Sequence, residues 1–72
     1  MKMKKELIIN LIQQLYCNGI TRTQIAAAFN VCPETIRRYS LGKIPEKKED
    51  AFINFVRQNY REVYEYVEHT EI

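Results

Sequence analysis

Apolar residues recur at steps of three and four along most of this chain, and the places where that rhythm stops divide it into helices. Leu7, Leu11 and Leu15 stand at i, i+4 and i+8, with Ile8 and Ile12 beside them, which predicts a first helix from about Lys4 to Cys17. Its apolar stripe is broad enough to contact two neighbouring helices. Asn18-Gly19 ends it, Gly19 suiting a left-handed cap, and Ile20 is placed to pack back on the helix end. Thr21 and Gln24 have the spacing of a capping box, so a second helix is predicted from about Arg22 to Phe29. Within it Ile25 and Phe29 share a face, and Ala26 leaves room for close approach by another helix. Asn30 suits the positive φ that closes a helix, and Pro33 suits the first turn of the next, about Pro33 to Ser40. Val31 points inward from the short connection, and Ile36 and Tyr39 continue an apolar side.

Gly42 to Pro45 reads as a loop, after which Pro45 opens a segment with acidic residues in its first turn. Phe52, Phe55, Val56, Tyr60, Val63 and Val67 keep one stripe through it. Glu46 to about His69 therefore reads either as one long helix or as two with a bend near Asn59. Together these elements predict an all-α fold, a single small domain over residues 1–72 with four to five helices. Residues 46–69 form its C-terminal helical segment, a candidate for dimerisation.

Composition narrows what such a domain does. At 72 residues the core is small and marginal alone, a shortfall that dimerisation relieves. No run of eighteen apolar residues occurs, so no membrane span is expected. The N-terminal MKMKKELIINLIQQLY has the basic-then-apolar order of a signal peptide. However, Glu6, Asn10, Gln13 and Gln14 interrupt it at helical spacing and no small-residue cleavage site follows. An amphipathic helix and a cytoplasmic protein are expected instead. Cys17, Cys32 and His69 do not make up a zinc set, and no metal or cofactor is expected; the cysteines read as small, reduced side chains.

Charge is more informative divided than summed. Residues 1–48 hold nine Lys and Arg against three acids, a formal +6, and residues 49–72 hold two against six, a formal −4. Positive charge thus gathers around the second and third helices, as contact with a polyanion requires, and the acidic end should face away.

The third helix carries Glu34, Arg37, Arg38 and Leu41 at i, i+3, i+4 and i+7 on its outer side. Two helices joined by three or four residues, with one Arg-bearing outer face, form the unit that sets its second helix in a DNA major groove. Arginine pairs bidentately with guanine O6 and N7, and a glutamate accepts from cytosine N4. Pro33, Glu34, Thr35, Arg37 and Arg38 are accordingly the candidate base contacts. The plainer reading is a solvated face with an ion pair between Glu34 and Arg38. Thr21, Arg22 and Thr23 at one helix start, and Lys43, Lys47 and Lys48 on the other side, are candidate phosphate contacts that position without reading sequence. No nucleophile is paired with a base, no glycine-rich phosphate loop occurs, and the one histidine lies near the chain end, so an enzyme is not expected.

The stretch Ile20–Gly42 resembles the helix-turn-helix of the family that includes phage Cro proteins and lambda-type repressors. Ile25-Ala26, Phe29, Val31, Ile36 and Tyr39 match its pattern, while Asn30 replaces the usual Gly and Cys32 the usual Ser or Thr. Gly42-Lys43-Ile44-Pro45 is similar to the family's basic Gly-to-Pro loop. The rest of the chain does not separate this family from other three-helix DNA binders, such as the domains of resolvases and transposases. The resemblance implies a repressor from a phage or mobile element, binding double-stranded DNA at an inverted repeat as a homodimer. Phe55, Tyr60, Val63, Tyr64 and Val67 are the candidate dimer seam, because the C-terminal segment has more aromatic surface than one small core consumes; partly exposed tyrosines are the alternative. Two other roles fit the residues. One is an excisionase-like, segregation or packaging factor, and the other is an antirepressor that uses the same fold to bind protein. No small-molecule ligand is evident.

Overall fold

The computed structural model describes residues 4–70. They form five helices, α1 (Lys4–Cys17), α2 (Arg22–Phe29), α3 (Pro33–Ser40), α4 (Glu46–Asn59) and α5 (Arg61–Thr70), with no strand among the described residues. The all-α expectation therefore holds at five helices.

The centre of the domain is α1. Ile8, Leu11, Ile12 and Leu15 are completely buried, and the helix packs against α3, α4 and α5, one neighbour more than its stripe suggested. Burying such side chains stabilises by about 1.5–3 kcal/mol each, which makes this stripe the main apolar support of the fold. Helix α2 packs on α3, with Ile25 and Ala26 buried.

Three successive helices close with the same left-handed turn. Gly19, Asn30 and Gly42 have φ of 84°, 65° and 86°. In each turn the positive-φ residue donates to the carbonyl three residues back and the next residue donates five back. The pairs are Gly19 to Tyr16 with Ile20 to Leu15, Asn30 to Ala27 with Val31 to Ala26, and Gly42 to Tyr39 with Lys43 to Arg38. This pattern satisfies carbonyls left open at a helix end. In the first two turns the residue after the cap, Ile20 or Val31, packs against the core; in the third it is the exposed Lys43.

The C-terminal segment is two helices. Tyr60 leaves helical geometry at φ −133° and ψ 56°, although its N–H still donates to the Val56 carbonyl at 2.7 Å. The Asn59 side chain donates to the Phe55 carbonyl at 2.9 Å, and α5 restarts with the Tyr64 N–H on the Tyr60 carbonyl. The bend turns α5 back onto α1 and α4, where Val63 and Val67 are buried. Behind the motif, Phe52 is fully buried and meets Phe29 and Tyr39 edge-on at centroid distances of 5.2 and 5.6 Å. Ile44, in the loop after α3, is also buried, which its position between a glycine and a proline did not announce.

Candidate nucleic-acid interface

The second helix of the motif is divided cleanly between an inner and an outer side. Ile36 and Tyr39 face the core, Thr35 and Ser40 are half-buried, and Pro33, Glu34, Arg37 and Arg38 are exposed. Leu41, the residue that closes α3, is 57% exposed and extends this outer side with an apolar side chain. The inward residues fix the helix against α1 and α2, so the outer ones are free of any role in the core.

Local sequence sets the approach angle of this helix. The capping box is present in full: the Gln24 N–H donates to Thr21 Oγ1 at 3.1 Å, and the Thr21 N–H donates to Gln24 Oε1 at 2.8 Å. Asn30 takes the left-handed conformation, and Pro33 occupies the first turn of α3. Cys32 precedes it without a side-chain cap hydrogen bond, consistent with a sulfur standing where Ser or Thr would cap.

Glu34 lies at the middle of the outer charge cluster. Arg37 donates to its Oε2 from both Nε, at 3.0 Å, and Nη2, at 2.6 Å, whereas Arg38 Nε is 3.9 Å away. The expected partnership of Glu34 with Arg38 is therefore subordinate to one with Arg37, since three residues of separation bring the fork closer than four do here. The Arg37 hydrogen bond holds the Glu34 carboxyl below the usual carboxylate range, helped by the charges of Arg37, Arg38 and Arg22. Reciprocally, the hydrogen bond to Glu34 and its charge raise Arg37 above the ordinary guanidinium value.

The remaining candidate contacts are distributed around this face. Thr21, Arg22 and Thr23 are exposed, but the Thr21 N–H and hydroxyl are already engaged in the capping box. The N–H groups of Arg22 and Thr23, in the first turn of α2, have no carbonyl within their own helix to bond. Lys43 is exposed in the turn that leaves α3, and Lys47 and Lys48 are exposed in the first turn of α4. Cations are unfavourable at a helix start, a penalty that Glu46 and Glu49 offset there.

The five residues read as a dimer seam do not share one exposed surface. Val63 and Val67 are buried against the chain's own core, because the bend at Tyr60 turns their stripe onto α1. Phe55, Tyr60 and Tyr64 are half-buried and pack on that core, and the Tyr64 hydroxyl donates to Glu68 Oε2 at 2.9 Å. Tyr66, which lies off the stripe, is 55% exposed. It borders a surface groove between the end of α1 and the α4–α5 junction, together with Ile20, Tyr60 and Val63.

Cys17 and Cys32 are free and exposed, and no group of three metal-ligating side chains comes together among the described residues. No helix there is long and apolar enough to cross a membrane.

The pattern that defines the helix-turn-helix domain of resolvase matches residues 1–41, a span that includes α1, α2 and α3. The chain belongs to that helix-turn-helix family. Its DNA-binding class agrees with the resemblance read from Ile25-Ala26, Phe29, Val31, Ile36 and Tyr39, though the family matched is the resolvase one and not that of Cro and lambda-type repressors. No match was found among curated proteins or among solved structures.

Proposed function

We propose that this chain is a sequence-specific DNA-binding transcriptional regulator, a repressor that lays α3 in the major groove and occludes a promoter. One observation carries the reading: α3 buries Ile36 and Tyr39 while presenting Glu34, Arg37 and Arg38 together on the opposite side. Pro33 and Thr35 at the start of α3 border the same bases. Phosphate contacts from Thr21, Arg22, Thr23, Lys43, Lys47 and Lys48 set the register of the domain on the duplex. The acidic residues of α5 lie outside this set, which suits a surface turned from the polyanion.

Two copies on an inverted repeat complete the proposal. With Val63 and Val67 inside the domain, the seam draws on the exposed edges of Phe55, Tyr60 and Tyr64, and on Tyr66 beside them. Selection of bound sequences from a random DNA library tests the whole reading. A palindromic consensus, and protection of the protein's own promoter, are the expected results; a library with no enrichment overturns it. Replacing one phosphate-contacting lysine should flatten the log–log dependence of binding on salt by about one unit without changing the consensus.

The resolvase family supports a second role for the same DNA contacts, as an excision, segregation or packaging factor of a mobile element. Protection of an attachment or packaging site, in place of a promoter, would distinguish it.

A further inference from the structure

Among the described residues Arg37 is held by one edge only. A guanidinium carries five N–H donors in a rigid fork. Glu34 Oε2 takes two of them, one from Nε at 3.0 Å and one from Nη2 at 2.6 Å, along the side of the group. The far end of the fork, where Nη1 and Nη2 each present a parallel hydrogen, is left over. That end is the pair of donors that spans guanine O6 and N7.

We propose that Glu34 is a positioning residue for base reading, bracing Arg37 along its side so that the free end of the guanidinium is presented to a guanine. The inference rests on the DNA-reading function above and deepens it. Glu34 then serves chiefly through Arg37 and not as a separate acceptor for cytosine.

Three observations support the brace. Glu34 and Arg37 are both exposed on the outer side of α3, so neither is needed to hold the core together. Glu34 sits in the first turn of α3, where the helix end favours a carboxylate. Arg38 and Arg22 add positive charge that keeps it ionised. A free arginine loses much rotamer freedom when it docks, and one already held loses less at the moment of binding. A carboxylate facing a phosphate backbone also lowers affinity for every sequence alike, so the brace trades general affinity for discrimination.

The test compares the full chain with its Glu34→Ala, Glu34→Gln, Arg37→Ala and Glu34→Ala/Arg37→Ala variants. Each is measured on the selected site and on sites altered one base pair at a time, at two salt concentrations. Arg37→Ala identifies its guanine as the position where preference is lost, by roughly 5- to 150-fold for a good bidentate pair. Glu34→Ala should lose most of the preference at that same position. Glu34→Gln keeps an acceptor without the charge and should retain an intermediate preference. The double variant should discriminate no worse than Arg37→Ala, and the salt dependence should show no loss of a phosphate contact. Wild-type preference in Glu34→Ala overturns the inference, as does a loss at a different base pair that persists when Arg37 is absent. Failure of the wild-type chain to select any sequence is a separate result, which removes the DNA-reading function itself.

Discussion

Residues 20–42 and residues 46–70 use their apolar residues alike but present opposite surfaces. The first stretch has three arginines against the single acid Glu34, and the second has four basic residues against six acidic ones. In the first, most specific features depend on individual atoms: a threonine hydroxyl, a left-handed asparagine, a glycine turn and one carboxylate oxygen. In the second, Phe52, Val56, Val63 and Val67 supply apolar bulk, and the polar contacts include the Asn59 side chain at the bend and the surface pairs Tyr64–Glu68 and Arg61–Glu65 along α5. The family match covers α2 and α3 and stops at residue 41, before α4 begins. The contrast indicates that recognition needs defined geometry, whereas its support needs mainly the right volume in the right place.

The largest expected effect tests whether the two regions are one cooperative unit. Phe52→Ala removes the ring that Phe29 and Tyr39 both contact and should cost about 3–5 kcal/mol, comparable to the whole stability of a domain this small. Thermal melts followed by circular dichroism should show α2 and α3 lost in the same transition as α4 and α5. A motif that survives the loss of α4 and α5 would show that it stands without their support.

Gly42→Ala should cost about 1–2 kcal/mol, from its positive φ and from a Cβ that would lie 3.3 Å from Ile9 Cδ1. Gly19→Ala carries the backbone cost alone, because nothing lies within 4 Å of its Cβ position. Denaturant midpoints for the two variants separate strain from crowding, and equal losses would show that Ile9 gives way freely. A gain is expected at Cys32. Cys32→Ser adds the missing cap to α3 and should stabilise by about 0.5–1 kcal/mol, visible as a raised midpoint with an unchanged denaturant slope.

The smallest effect is electrostatic and lies on α3. Because the folded Glu34 carboxyl is held below its unfolded value, its contribution is present above the unfolded pKa and is lost as pH falls through the lowered folded one. Its exposure keeps that contribution slight, so the titration itself is the measurement. Side-chain NMR should find the Glu34 midpoint below the ordinary carboxylate range, returning to it in Arg37→Ala. An ordinary midpoint in the unaltered chain would remove the ion pair with Arg37.

Much of the motif was legible because its signals are local. The capping box, the left-handed Asn30 and Pro33 each operate within a few residues, and the helices they bound run where those signals place them. The bend at Tyr60 was not legible in this way. Neither glycine nor proline marks it, and the apolar stripe from Phe52 to Val67 keeps the same steps whether the helix continues or folds back. The packing of Val63 and Val67 into the core against α1 and α4 goes with the folded-back form, and that is a tertiary effect. The burial of Ile44 was hidden for the same reason. On α3 the spacing put both arginines within reach of Glu34, and side-chain geometry alone favours Arg37, at 2.6 Å, over Arg38, at 3.9 Å.

The central place of α1 also bears on the order in which the chain is made. Its buried stripe is covered by α3, α4 and α5, so α1, made before the other four helices, is completed only when α5 has followed it. During synthesis Ile8, Leu11, Ile12 and Leu15 have no finished surface to meet, and a nascent chain stalled before α5 exposes part of that stripe. Such an exposed stripe is the kind of surface that chaperones hold and that aggregates when left alone. A chain cut short after the motif would keep every proposed base contact and lose much of what keeps them in place.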